Sequence, residues 1–321
     1  MVTHYTEYLQ PAPCLADIPQ PAAVDGYVEW RAGRTWYQRV GGAATRADTN
    51  RERHLLPLLA LHGGPGATHW NLITLNGLAA ATGREVIYYD QIGCGASAIA
   101  PGQSSPEWSV ELFVEELCAV REQLGLDRLH LFGHSWGGML AQEYALTQPS
   151  GVASLTLASS FAAMEMWLTE AWRLLALCPD WVQEAIIDST RTHRYDTDAY
   201  IAATDEYYRR YACAYVDEAP DFLQAAFDNY GQVLTTMWGH DEFAVTGVLR
   251  DWDVRERLGE IIIPTLITSG VADECTPWMQ KVMADRIPNA RWELLQGTHS
   301  VHIEQRDRYN RLLAEFLQQH D

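Results

Sequence analysis

Residues 129–138 read Leu-His-Leu-Phe-Gly-His-Ser-Trp-Gly-Gly (LHLFGHSWGG), and the chain is organised around them. The apolar run 129–132 has the length and composition of a buried strand. It leads directly into Gly133-His134-Ser135-Trp136-Gly137, which fits G-x-S-x-G, and good helix formers follow over 139–147. Strand, tight turn and helix is the context in which this motif holds a serine hydroxyl at the top of a sheet, beside helix N–H groups that favour negative charge. The glycines have a steric role: the turn strains the serine backbone, and a side chain at 133 or 137 would strike a neighbouring strand or helix. Taken alone, the motif also fits an ordinary glycine-rich turn. Its surroundings therefore carry the weight.

Upstream, residues 55–61 form a near-continuous apolar run, as expected for a strand buried on both faces of a sheet. It ends in His62-Gly63-Gly64-Pro65-Gly66, whose bare backbone suits an oxyanion hole as well as a plain strand-terminal loop. Residues 85–89 are the next strand, followed by the loop Asp90-Gln91-Ile92-Gly93-Cys94-Gly95-Ala96-Ser97, in which Asp90 is expected to bind backbone N–H groups. Apolar positions 110, 113, 114, 117, 120 and 124 recur at helical spacing. Further strands are expected at 27–30 and 34–40 (an antiparallel pair turning at 32–33), 155–158, 263–269 and 291–295. Helices are expected at 277–287 and 307–319, and a loop at 41–53.

The chain has 321 residues, 47% of them apolar, enough for one large domain with an insertion. Its formal net charge of −19 argues against nucleic acid or an anionic membrane as partner. The same charge is compatible with a cationic substrate or with simple solubility. The six cysteines show no C-x-x-C or metal-like spacing and read as reduced thiols. Without a basic start and an apolar stretch, no signal peptide is expected, and a cytoplasmic location follows. No histidine spacing suggests a metal, no cofactor is implied, and no oligomeric state can be read.

Three groups fall at the carboxyl ends of expected parallel strands: Ser135, Asp273 in Gly270-Val271-Ala272-Asp273-Glu274, and His299 in Gly297-Thr298-His299-Ser300. Ser, Asp, His is the chain order of the α/β-hydrolase arrangement, and open sheets of this kind bind ligands beyond those strand ends. Serine needs a base, His299 can take its proton and return it, and Asp273 can fix the imidazole. The N–H groups of Gly64 and Trp136 are the expected oxyanion donors. His302 competes with His299, Asp251 and Asp253 compete weakly with Asp273, and His62 and His134 are read as structural. The expected fold is a mostly parallel central sheet with helices on both faces and a helical cap inserted after the sixth strand. Residues 1–160 and 251–321 form the core, with 1–24 as an N-terminal arm, and 161–250 the cap. The cap aromatics serve either as core or as ligand contacts.

Together, HGGPG at 62–66, DQIGCGAS at 90–97, GHSWGG at 133–138, ADECTP at 272–277 and GTHSVHIE at 297–304 resemble the proline iminopeptidase (prolyl aminopeptidase) group of α/β-hydrolases, a serine peptidase family. The run DEFAVTGVLRDWDV at 241–254 is similar to the tricorn-interacting aminopeptidase type. The resemblance implies an exopeptidase that releases an N-terminal residue, often proline, from small peptides through an acyl-enzyme. It also implies that Glu242 and Glu274 hold the substrate's free α-amine; without it, both read as solvated surface glutamates. His134 and Trp136 flank the serine where the family pattern is not assumed, and a bulky Trp136 is read as able to alter the pocket beside the acyl group. The alternatives are an amino-acid amide or ester hydrolase, or a small-molecule tailoring hydrolase, with no proline preference. A catalytically silent binding scaffold fits less well, because every motif is retained.

Overall fold

A computed structural model describes residues 5–42, 55–100, 102–227 and 231–321. The loop expected at 41–53 lies, beyond Gly41 and Gly42, outside the described residues. Among the described residues, eight strands form one sheet: β1 (Ala23–Trp30), β2 (Gly33–Val40), β3 (Leu58–Leu61), β4 (Val86–Tyr89), β5 (Leu129–His134), β6 (Val152–Ala158), β7 (Thr265–Gly270) and β8 (Ala290–Leu295). Their order is β1-β2-β4-β3-β5-β6-β7-β8. β1 pairs antiparallel with β2, and β2 with β4; every later pairing is parallel. β1 starts four residues before the expected boundary, and its turn is Arg31-Ala32, because Ala23 pairs with Val40 and Trp30 with Gly33.

Helices cover both faces, as a parallel sheet requires. α1 (Asn76–Thr82), α2 (Val110–Gln123) and α3 (Trp136–Leu146) lie among the first six strands. The alternation along β3 shows how the two cores divide. Leu59 and Leu61 pack with Phe113 and Leu117 of α2 and with Met139 and Leu140 of α3. Leu58 and Ala60 face the other way, onto Leu78 and Ala79 of α1.

After β6 come five α-helices among the described residues: α4 (Met164–Leu175), α5 (Asp180–Thr192), α6 (Asp198–Tyr211), α7 (Asp221–Phe227) and α8 (Gly231–Met237). Leu174 and Leu175 of α4, Val182 and Ile186 of α5, and Tyr200, Ala203 and Tyr207 of α6 form an apolar cluster of their own with Phe243. After β7, α9 (Pro277–Arg286) joins the α2–α3 face, while α10 (Val301–Glu304) and α11 (Arg306–Gln318) follow β8. Leu313, Phe316 and Leu317 of α11 close the α1 face. The arm meets both halves: Gln10 N–H donates to the Glu304 carbonyl at 2.8 Å, and Tyr215 OH donates to the Gln10 carbonyl.

Among the elements not expected, one adjoins the site. His69–Leu75 forms a 3-10 helix that runs straight into α1. The Asn76-Gly77 pair at the junction has the composition of a turn, and burial against α11 overrides it.

Candidate active site

Ser135 sits between β5 and α3 with φ 55° and ψ −121°, a left-handed backbone that costs a non-glycine residue about 1–3 kcal/mol. The surroundings hold it there. Its N–H donates to the Ala158 carbonyl at 2.9 Å, and its own carbonyl accepts from Ser160 Oγ at 2.9 Å and Gly138 N–H at 2.8 Å. The flanking glycines have no room for a side chain. A Cβ on Gly133 would lie 2.1 Å from the Gly137 carbonyl oxygen, and one on Gly137 would lie 2.2 Å from that of Leu61. Trp136 opens α3, so its N–H is among the first-turn donors that have no partner inside the helix.

Asp273 and His299 meet across the loops after β7 and β8. His299 Nδ1–H donates to Asp273 Oδ1 at 2.9 Å. The Asp273 carboxylate also accepts from Cys275 N–H at 2.8 Å and Gly270 N–H at 3.4 Å. The cap is tied to these loops by its backbone. Tyr211, the last residue of α6, has a carbonyl without an intrahelical partner, and it accepts from His299 N–H at 2.9 Å and Glu274 N–H at 3.2 Å. The Ala212 carbonyl takes Ser300 N–H at 3.0 Å. Glu304, fully buried, accepts from Thr298 N–H at 2.7 Å, Thr298 Oγ1 at 2.6 Å and Ala214 N–H at 2.8 Å, which pins the histidine loop to the cap. Glu304 closes the motif GTHSVHIE, and its place next to the histidine was the one available signal of this role.

A cavity of about 330 Å³ lies between the strand ends and the cap, and Gly64, Ser135, Glu242, Glu274 and His299 all line it. Glu242 comes from the segment after α8, and Tyr208 of α6 donates its hydroxyl to Glu242 Oε1 at 3.1 Å. Glu274 Oε1 lies 3.9 Å from His299 Nε2, and its Oε2 is buried with no hydrogen-bond partner among the described residues. Burial pushes both carboxyl groups above the usual range; Asp241 adds to the rise at Glu242, and Glu242 and Asp273 add to it at Glu274. For His299, burial pulls the pKa down, but Asp273, Glu274 and Glu242 more than offset this and raise it to about 9.

Gly64 and Trp136, the expected oxyanion donors, come from two loops. Gly64 has φ 112°, and a Cβ there would lie 2.6 Å from Gly66 N. Gln91 braces this loop against the serine turn. Its side-chain amide donates to the His62 carbonyl at 3.0 Å, and its Oε1 accepts from Trp136 Nε1 at 2.8 Å. The Trp136 indole therefore turns into the core, edge-on to Phe113 at 5.4 Å, and does not line the cavity. That corrects the expectation that its bulk shapes the acyl pocket: the Gln91 acceptor and the aromatic core give the ring a better place.

The rival residues are engaged elsewhere. His302 Nε2–H donates to the Asn71 carbonyl at 2.9 Å, and burial holds its pKa down at about 4. His134 Nε2–H donates to the His299 carbonyl at 3.1 Å. His62 Nε2 accepts from Gln91 N–H at 2.9 Å. Asp90 accepts backbone N–H groups from His69 and Ala96, both at 2.9 Å. Asp251 and Asp253 pair with Arg250 and Arg255 and lie off the cavity. One possible metal-ligand set converges among the described residues, Asp273, Cys275 and His299, with atoms within 4.8 Å. Its carboxylate and imidazole already hold each other, and burial drives the Cys275 thiol well above its usual range, away from the thiolate a metal would need.

Residues 57–305 match the family model for the alpha/beta hydrolase fold. A proline iminopeptidase of Lactobacillus delbrueckii subsp. lactis is 39% identical over 293 residues, 91% of this chain and 97% of that protein. The crystal structure of VinJ superposes with a TM-score of 0.85 at 36% identity, covering 93% of this chain and 99% of the other. The crystal structure of the proline iminopeptidase of Mycobacterium smegmatis superposes with a TM-score of 0.84 at 36% identity, covering 92% and 98%. Likeness at this level, over nearly the full length, places the chain in the proline iminopeptidase family of α/β hydrolases.

Proposed function

We propose that this protein is a serine aminopeptidase that releases an N-terminal residue, proline among those accepted, from small peptides or amino-acid amides. One observation carries the reading: Ser135, His299 and two buried carboxyl groups share a single cavity. Ser135 Oγ attacks the first carbonyl while His299 takes its proton, and the N–H groups of Gly64 and Trp136 receive the oxyanion, each worth about 2.7–4 kcal/mol. His299 returns the proton to the departing amine, leaving an acyl-serine. Water, deprotonated by the same ring, then frees the amino acid. Asp273 holds the imidazole in its Nδ1–H form throughout.

Glu242 and Glu274 take the substrate's ammonium. Desolvated carboxyl groups short of partners are unfavourable when empty and favourable once a cation sits between them. Asp273 first, then Glu274 and Glu242, hold the His299 pKa up. An ammonium between the glutamates offsets their share, so a free amine both binds and eases deprotonation of the base. The six free cysteines support a reducing, cytoplasmic setting, and no helix among the described residues is long and apolar enough to cross a membrane.

The test is a panel of prolyl-, alanyl- and phenylalanyl-p-nitroanilides with their N-acetyl counterparts. Turnover of free-amine substrates that disappears in Ser135→Ala is expected. Equal turnover of acetylated substrates overturns the amine-binding role, and activity that survives Ser135→Ala overturns the mechanism.

A further inference from the structure

Resting on that reading, we infer that the leaving-group side of the cavity selects an uncharged, apolar amine and rejects a free carboxylate next to the scissile bond. The cavity has two chemically different halves. Glu242 and Glu274 lie in one, and Trp167 and Trp238, stacked edge to face at 5.2 Å, belong with them, since Trp167 Nε1 donates to the Glu242 carbonyl at 3.0 Å. The other half is lined by Cys213, Val216, Leu223 and Ile303, which belong to a separate apolar cluster that also contains Ile18, Ile73 and Phe222. A substrate anchored by its ammonium on the glutamates, with its carbonyl at Ser135, has only this second half in which to place its leaving group.

No Lys or Arg lines the cavity among the described residues; the His299 ring is already paired with Asp273, and the acidic side chains in the lining are Glu242 and Glu274. In a dipeptide, one carbon separates the scissile nitrogen from the terminal carboxylate, so that charge enters the cavity with the bond. It meets apolar walls, two acidic groups and a chain of net charge −19. An amidated residue or an apolar amine brings no charge, and the neutral amide of Gln224, also in the lining, suits its polar atoms. The substrate class is therefore aminoacyl amides with an apolar, uncharged leaving group, in preference to free dipeptides.

The test compares kcat/KM for L-Pro-L-Leu amide and L-Pro-L-Leu at the same pH and ionic strength. The amide is expected to win by about tenfold or more, mainly through KM, because an unpaired charge entering a desolvated site is costly. Leu223→Lys supplies the missing cation and is expected to narrow the gap by raising turnover of the free acid. Val216→Lys, at a half-buried cap position, makes the same test if the first variant does not fold. Equal rates on the two dipeptides, a preference for the free acid, or a gap unchanged in a folded lysine variant overturns the inference. L-prolyl-p-nitroanilide separates the two levels. A protein that cleaves it yet treats both dipeptides alike overturns the leaving-group inference alone, and one that cleaves none of the three overturns the aminopeptidase reading with it.

Discussion

Asp273 and Glu274 are neighbours in the chain, yet their carboxyl groups are treated in opposite ways. Asp273, on the strand-end side, accepts from two backbone N–H groups and from the His299 ring. Glu274, facing the cap, leaves Oε2 without a partner among the described residues, and Glu242 beside it is held by one tyrosine hydroxyl. A carboxylate whose acceptors are filled is fixed in place and orients its neighbour. One that is desolvated and under-satisfied is poised to bind a cation. On the proposed reading, the contrast separates the residues that position the base from those that recognise the substrate.

The comparison can be broken at several points. Removing the nucleophile sets the scale: Ser135→Ala is expected to lower kcat by about 10⁶, leaving recognition intact, as read by tight binding of an uncleaved substrate in calorimetry. Asp273→Asn attacks the positioning side and is expected to lower kcat by about 10⁴ with KM little changed, since the ring loses its tautomer and orientation. Glu274→Gln attacks the recognition side. A loss of about a hundredfold in kcat/KM on prolyl anilide is expected, with the pH-independent plateau rate of p-nitrophenyl acetate hydrolysis changed by no more than about threefold. If the two variants show the same KM-against-kcat split, the distinction fails.

The pH profile sharpens it. On the proposed reading the His299 ring must be neutral to act as the base, and Asp273, Glu274 and Glu242 hold its pKa up at about 9. Glu274→Gln removes a negative neighbour 3.9 Å from Nε2, so the acid limb of p-nitrophenyl acetate hydrolysis is expected to move down by roughly one pH unit or more. An unmoved limb would separate the glutamate from the base.

The smallest effect comes from a buried acid outside the cavity. Glu116 accepts from Thr35 Oγ1 and from Ile92 N–H at 2.7 Å, and burial raises its pKa from 4.5 to about 8. The folded protein keeps this proton where the unfolded chain releases it, so its contribution to stability is complete below pH 4.5 and is lost as pH rises through about 8. Glu116→Gln should raise stability at pH 9 by about a few kcal/mol at most, read as a higher melting temperature, with little change at pH 5. A variant less stable at pH 9 would mean that the ionised form is the one the fold requires.

Much of the fold was legible because its signals are local. A strand buried on both faces must be apolar throughout, and LLAL at 58–61 and VIYY at 86–89 are. The nucleophile turn needs small residues wherever backbone meets backbone, so Gly133 and Gly137 announce it. Glu242 was visible only through a family resemblance, because an acidic residue in a polar loop looks the same whether it faces water or a cavity. No element was expected over 69–82, where an Asn-Gly pair interrupts the apolar residues, and the Trp136 ring was misread because its acceptor, Gln91, lies 45 residues away.

What the amino-acid sequence determined by itself was the nucleophile turn, the parallel core and the order of serine, acid and base along the chain. Each rests on steric or periodic demands that adjacent residues satisfy among themselves. Only the tertiary structure decided which carboxyl groups were satisfied and which were left desolvated, how the carbonyl of Tyr211 ties the cap to both catalytic loops, and where the cavity turns from acidic to apolar. Those properties depend on groups that are far apart in the chain and meet only when the cap closes over the sheet, because burial and partner count belong to the assembled surface and not to any one segment.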